Sequence, residues 1–169
     1  MKLYIEIILL VIIVVCIGYL FFYFSKTVIA PSTIQNLENK VCLAREATAE
    51  GLGNNCFYVE LAKTQAERDK GLMNRSHLDQ NKGMFFIFEK EGNHPFWMKN
   101  TLIPLDIIWL DSGKNIVYVA ENVQPCKSLI CPAINPNVKA KYVLEINAGI
   151  ANNIGLKIGD KASVTVSGE

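Results

Sequence analysis

The sequence predicts a mainly β fold, α+β at its margin: a compact barrel-like or sandwich domain of about seven short strands and two short helices, behind one amino-terminal transmembrane helix. Three observations carry this expectation. An uncharged stretch of eighteen residues opens the chain, short alternating or wholly apolar segments recur from Phe57 onward, and Gly, Pro, Asn and Ser punctuate them at close intervals. The 169 residues include 17 basic and 16 acidic side chains, for a net charge of +1, and 50% are hydrophobic. The apolar excess is concentrated in residues 3–24, and the remainder has the composition of an ordinary soluble domain. Collagen-like, disordered, repeat and multi-span proteins are thereby excluded. Nucleic acid is not expected as a partner, because phosphate neutralisation needs a concentrated basic surface and the chain after the opening stretch holds no basic cluster beyond close pairs such as Lys139 and Lys141.

Residues 7–24 read IILLVIIVVCIGYLFFYF. As a helix rising 1.5 Å per residue, they would span about 27 Å of hydrocarbon. Glu6 can reach the headgroups at one end, and Tyr19, Tyr23 and Lys26 suit the interface at the other. Residues 1–25 are therefore expected to anchor the chain in the lipid bilayer, with residues 26–56 as a leader or stalk and residues 57–169 as the globular domain. Cleavage as a signal peptide is the alternative. Such peptides have an apolar core of about 7–15 residues, however, and the only cleavage signal, Val28-Ile29-Ala30, is followed by Pro31. Cys16 inside the span reads as a small apolar packing residue.

Flanking charge leaves the orientation open, since Lys2 is offset by Glu6 and Lys26 marks the far side. Cysteine usage favours an extracytoplasmic domain on a single-pass protein of the cytoplasmic membrane, or a secreted one if the anchor is cleaved. Outside the span stand Cys42, Cys56, Cys126 and Cys131, an even number that suits an oxidising compartment and allows three pairings. The favoured pairs are Cys126 with Cys131, closing a loop bordered by Pro125 and Pro132, and Cys42 with Cys56, fastening the leader to the first strand. A zinc site is the competing reading. Its spacing would be C-x4-C, and only His77 and His94 could assist, so no metal is expected. Thiol redox chemistry needs the closer C-x-x-C spacing.

The elements follow in order. Residues 25–56 hold no sustained period, although a short helix near 37–48 is compatible with them. Phe57, Val59 and Leu61 alternate with Tyr58, Glu60 and Ala62 as in a half-buried strand. Thr64 and Glu67 form a capping box that opens a short helix, and Gly71 closes it. Gly83-Met-Phe-Phe-Ile-Phe88 predicts a strand buried on both faces, and Phe96 to Asn100 an extended segment that Pro95 favours. Leu105–Leu110 and Ile116–Ala120 flank Asp111-Ser112-Gly113-Lys114, where Ser-Gly supplies the tight turn of a β-hairpin. A Pro-rich loop follows from Pro125 to Pro136, then a strand over Lys141–Ile146, a short helix over Ala148–Ile154 ended by Gly155, and a closing strand over Ala162–Val166.

The segments Arg68-Asp-Lys-Gly-Leu-Met-Asn-Arg75, Gly83–Phe88, Phe96-Trp-Met-Lys-Asn-Thr-Leu-Ile-Pro-Leu-Asp106 and Tyr142-Val-Leu-Glu-Ile-Asn-Ala-Gly149 occur in that order. Together, over about residues 57–166, they resemble the family called domain of unknown function 192. The resemblance implies a small mainly-β domain, frequently behind a signal sequence or anchor in prokaryotes, with no established activity and no cofactor. The long leader and the C-x4-C loop look like local additions.

The candidate site gathers around the longest of these motifs. Trp97, Lys99 and Thr101 share one face of their strand by period 2, and Asn100 lies on the other. Pairing of residues 96–101 with 105–110 would bring Asp106 opposite Lys99 or Asn100. A cation, an amide and a carboxylate beside an indole would make a small polar pocket for a sugar or a small anionic ligand, and Arg75 could reach it to grip a carboxylate or phosphate. Trp97, Lys99, Asn100, Thr101, Asp106 and Arg75 are therefore the predicted ligand-binding residues. Hydrolysis with Asp106 as base is the alternative, although no second carboxylate is placed for it by spacing. The blander reading is a cross-strand ion pair that pins a hairpin. A purely structural accessory domain for an envelope protein or membrane complex is the third possibility. His77 sits beside Ser76 and Asp79, but neighbours along a loop do not make a catalytic relay. His94 is expected to be a solvated loop residue, and Met73, Met84 and Met98 to be core filler.

Overall fold

A computed structural model describes residues 4, 12–20, 39–44 and 55–167. The chain divides into two units, residues 1–37 and residues 38–169. In the first, residues 12–20 form a helix, α1, whose side chains are exposed. Among the described residues no helix is long and apolar enough to cross a membrane. The anchor expected over residues 1–25 lies largely outside the described residues.

The second unit is mainly β. Its elements run β1 (Lys40–Ala44), β2 (Cys56–Ala62), α2 (Gln65–Lys70), β3 (Lys82–Gly92), β4 (Phe96–Trp97), β5 (Leu105–Leu110), β6 (Ile116–Val123), β7 (Ala133–Ile134), β8 (Ala140–Asn147), α3 (Ile150–Asn153) and β9 (Lys161–Thr165). Seven strands form one sheet in the order β6-β5-β8-β3-β2-β1-β9, and β4 pairs separately with β7. Among these strands every pairing is antiparallel except β2 with β3, whose parallel register requires a crossover that α2 and its flanking loops supply. The sheet curls into a half-barrel. β6 and β9 stand at opposite ends of its order, yet the Ile116 amide donates to the Asp160 carbonyl (2.7 Å), that of Ala162 donates to the Lys114 carbonyl (2.9 Å), and Asn115 bridges to Lys161.

A curled sheet has two faces, and both are apolar here. Within the curl, all seven strands contribute to one core through residues such as Val41, Phe57, Phe85, Ile108, Ile116, Leu144 and Ala162, with Ala151 and Leu156 closing the end. On the outer face, Met84, Phe86, Ile107, Trp109 and Val143 pack beneath Leu72, Leu78 and Met98 from the covering loops. β5 is buried at all six positions. β3 fits the same scheme: Phe85 faces the inner core, while Met84 and Phe86 face the outer one, as a run without polar alternation requires.

Local chemistry accounts for the junctions. Thr64 Oγ1 accepts from the Glu67 amide (3.3 Å) and the Glu67 carboxylate accepts from the Thr64 amide (2.8 Å), which is the expected capping box on α2. The β5–β6 hairpin forms as expected, but its left-handed residue is Lys114 (φ 65°) and not a glycine. The Asp111 carboxylate holds the turn by accepting from the Asn115 amide (2.8 Å) and from Asn115 Nδ2 (2.9 Å). Gly113 serves this arrangement through space, because a Cβ there would lie 2.9 Å from Asn115 Nδ2. Both favoured disulfides, Cys42–Cys56 and Cys126–Cys131, are formed.

Three expectations are corrected. The segment read as a leader contains β1, which pairs with β2 and β9, so the short helix considered near 37–48 is a strand over Lys40–Ala44. Five residues with only Val41 and Leu43 buried give too little period to read. Residues 96–101 do not pair with 105–110. Both edges of β5 are taken by β6 and β8, so Phe96 and Trp97 pair instead with Ile134 and Ala133, inside the stretch read as a Pro-rich loop.

Gly83 of β3 faces β8 so closely that a Cβ would stand 2.6 Å from the Glu145 carbonyl oxygen. Gly83→Ala is expected to lower stability by about 1–3 kcal/mol through overpacking, measured as a lower urea midpoint with an unchanged slope.

Candidate functional site

A cleft of about 330 Å3 lies between α2 and β4. Gln65, Arg68 and Asp69, spaced to share one helix face, form one wall; Pro95, Phe96, Trp97 and Ala133 form the other, with Phe88 of β3 also lining it. Period 2 on β4 sets the opposite wall. Phe96 packs edge-on against Phe86 (4.9 Å between ring centroids) and Trp109 (5.6 Å), so its neighbour Trp97 is turned outward and remains 46% exposed. The Lys99 ammonium stands 5.1 Å above the Trp97 ring.

Arg68 is held firmly in this cleft. One terminal nitrogen donates to the carbonyls of Lys63 and Ile87, the other donates to Gln65 Oε1 (3.1 Å), and the guanidinium covers the Phe88 ring at 5.1 Å. Gln65 in turn donates to Asp69 Oδ1 (2.7 Å). His94 stacks on Phe88 with 3.6 Å between centroids, and burial, with a smaller contribution from the Arg68 charge, holds its imidazole below the usual range. It is half-buried and packed, not the solvated loop residue expected.

Adjoining the cleft is a smaller, partly open inner cavity of about 30 Å3, which shares Arg68, Asp69, Phe96 and Trp97 with it and is also lined by residues 70–73, Phe86, Thr101 and Glu145. Glu145 occupies the middle of β8, between Met84 of β3 and Ile107 of β5, and only 5% of it is exposed. Burial pushes its carboxyl up to about 8, so it is largely protonated at neutral pH. Its Oε2 and the Nε of Arg68 are the two buried side-chain polar atoms without a hydrogen-bond partner among the described residues.

The predicted residues divide between this region and others. Trp97 lines the cleft and the inner cavity, Thr101 is buried against the inner cavity, and Lys99 flanks the indole. Asn100 occupies a left-handed turn (φ 56°) and its carbonyl accepts from the Asn74 amide (2.8 Å). Arg75 is elsewhere. Its guanidinium forms a two-pronged pair with Glu60 (2.6 Å from Nη2 to Oε2), and that hydrogen bond holds the Glu60 carboxyl below its ordinary range. Asp106 faces the inner core. Its carboxylate accepts from the amides of Asn122 (2.8 Å), Gly149 (3.1 Å) and Ala151 (2.8 Å). It thereby fills a bulge in β6 and caps the approach to α3, on the side of the sheet opposite Glu145. Sequence reasoning missed Gln65, Arg68, Asp69 and Glu145. A signal existed for Glu145, a lone carboxyl inside the apolar run Val143-Leu-Glu-Ile146.

Two stability measurements separate the carboxyls. Asp106→Asn places an amide donor against backbone donors and is expected to cost about 2–3 kcal/mol, read by urea unfolding. Glu145 behaves in the opposite sense. Its carboxyl is protonated to about pH 8 in the folded chain but ionises near 4.5 when unfolded, so the unfolded state binds fewer protons in that window. Stability falls as pH rises through it, by up to about 1.4 kcal/mol per unit. Relative to wild type, Glu145→Gln should therefore gain stability progressively between pH 5 and pH 8, which thermal unfolding across that range would register.

Comparison with known proteins gives relatives of the same fold. A protein of unknown function from Novosphingobium aromaticivorans DSM 12444 is 35% identical, with 73% of this chain and 83% of that one covered at a TM-score of 0.65. A candidate transcription regulator from Sinorhizobium meliloti 1021 is 31% identical, with 75% of this chain and 93% of that one covered at a TM-score of 0.68. No curated protein matches the chain. The family model described as uncharacterized ACR, DUF192, matches residues 46–164 and so includes the cleft, the inner cavity and all but one strand of the sheet. The chain belongs to the domain of unknown function 192 family.

Proposed function

We propose that this chain is a membrane-tethered, extracytoplasmic binding domain whose cleft takes a small polar ligand, a sugar or a small anion. One observation carries the reading: the exposed Trp97 ring faces a concave space whose other wall bears Gln65, Arg68 and Asp69. An indole left open to solvent in a cleft offers a flat apolar surface, and the polar side chains opposite can orient what stacks on it. The tether is supported by the uncharged stretch over residues 7–24, and the extracytoplasmic location by two disulfides, which persist in oxidising compartments. Hydrolysis through Asp106 has less support, because that carboxylate is fully buried and engaged by three backbone amides. A regulator role like that named for the Sinorhizobium relative has less support too, since a net charge of +1 gives little attraction for phosphate backbones.

The test is a thermal-shift series on the full-length protein with D-glucose, D-galactose, N-acetyl-D-glucosamine, phosphate and acetate. At least one should raise the melting temperature of wild type. Trp97→Ala should abolish that rise; because about half of the side chain is covered, its ligand-free stability is expected to fall by about 1–2 kcal/mol, and the shift is read against each variant's own ligand-free melting temperature. A panel that leaves wild type unmoved, or a rise that survives in Trp97→Ala, would sink the reading.

A further inference from the structure

We propose that the disulfide-closed loop over Cys126–Cys131 is a second contact with the bilayer: Leu129 and Ile130 enter the interface of the leaflet facing the domain, and Lys127 and Lys99 meet anionic lipid headgroups. The inference rests on the amino-terminal tether and concerns a surface that the tether and the cleft leave unused. Its ground is exposure. Leu129 is fully open to solvent and Ile130 is 85% exposed, and among the described residues no large apolar side chain is more open than these two. A single surface leucine is ordinary, whereas two bare aliphatic neighbours at the tip of a cross-linked loop form an apolar point that calls for a cover.

The surroundings select lipid. The Cys126 amide donates to the Met98 carbonyl (3.4 Å) and Lys99 bridges to Cys126, so the loop stands against the segment that carries Lys99. The covering segments that meet there, residues 96–104 and 126–138, hold the exposed Lys99 and Lys127 and no carboxylate. An apolar tip with cations behind it suits the surface of a bilayer that contains anionic lipid. The bridge limits the freedom that the tip loses on entering, and Ser128 Oγ donates to the Ile130 carbonyl (2.6 Å), so that backbone oxygen enters already paired. A tip of two residues is far below the roughly 800 Å2 per partner of a stable protein interface. A bilayer accepts so small a contact because the tether has already brought it near: residues 25–38, at about 3.3–3.6 Å each, reach at most about 50 Å from the uncharged stretch.

The experiment places the full-length protein in vesicles of phosphatidylcholine and phosphatidylglycerol, with or without bromine on the acyl chains, and reads tryptophan emission as the difference from wild type. Leu129→Trp and Ile130→Trp each add an indole at the tip, so that a defect in one variant is caught by the other. Ile158→Trp adds one at an exposed position in the turn before β9, outside the covering segments. Brominated lipid is expected to lower the emission added at 129 and 130 by about twofold or more and to leave that added at 158 unchanged. Lys127→Glu in the Leu129→Trp background, and vesicles of phosphatidylcholine alone, should each weaken the quenching. Quenching that neither change weakens overturns the assignment to anionic lipid. If the tip indoles are quenched no more than the one at 158 while the protein floats with the vesicles, the loop contact is overturned and the tether stands; a tip that serves a protein partner would give this result. If Leu129→Ser with Ile130→Ser releases the protein although the tip indoles are quenched, the tether reading falls and the loop contact stands. If wild type does not float with the vesicles, both fall.

Discussion

The central strands β5 and β8 are covered on both faces, and the rest of the structure answers to that constraint. A strand between two apolar layers offers its side chains no water, so a polar group on it must find a partner inside the protein or remain costly. Two carboxyls lie on these strands, and they meet the demand in opposite ways. Asp106 faces the interior of the curl and engages three backbone amides. Those three bonds join β5 to the bulge in β6 and to the start of α3, so one side chain fixes the end of the barrel. Glu145 faces the outer layer, finds no partner for Oε2, and becomes neutral by taking up a proton.

The outer layer also gives this difference a place to act. Residues 72–78, 96–104 and 126–138 cover the outer core, and the Cys126–Cys131 bridge keeps the last of these compact while β7 pairs with β4. Phe96 is drawn into the core by Phe86 and Trp109, and Trp97 is thereby left at the surface facing α2. The capped helix brings Gln65, Arg68 and Asp69 to the other wall. The cleft is thus made where the crossover helix and the covering loop fail to meet. The smaller cavity that adjoins it is lined in part by Glu145, the one acidic side chain on β8, whose burial leaves it largely uncharged at neutral pH.

Much of the local structure was legible in the sequence because it depends on neighbours along the chain. The capping box at Thr64 and Glu67, the apolar run of β3, the β5–β6 hairpin and the break at Gly155 are each written within a few residues. β1 was not legible, since five residues carry too little period, and neither was β7, which consists of two. At the candidate site, Trp97, Lys99 and Thr101 were named on one strand face; β4 ends at Trp97 and Asn100 turns (φ 56°), so Lys99 and Thr101 come near the indole and its pockets through a turn that period 2 does not describe. Asp106 and Arg75 were assigned to the same pocket on a strand pairing that does not form, because β6 and β8 occupy both edges of β5 and Glu60 occupies Arg75.

The sequence by itself determined the family, the mainly-β class, the two disulfide pairs and the positions of most elements, because composition, period and turn chemistry act over short distances. Only the tertiary structure decided which buried carboxyl is engaged by backbone amides and which has an oxygen without a partner. Asp106 and Glu145 are each a single acidic residue in an apolar strand, alike to any reading of period. Strand order and the curl of the sheet send one toward backbone donors and the other toward a cavity. Whether a buried charge is satisfied depends on groups more than forty residues away, such as the Gly149 and Ala151 amides at Asp106, and that distance is set by folding alone.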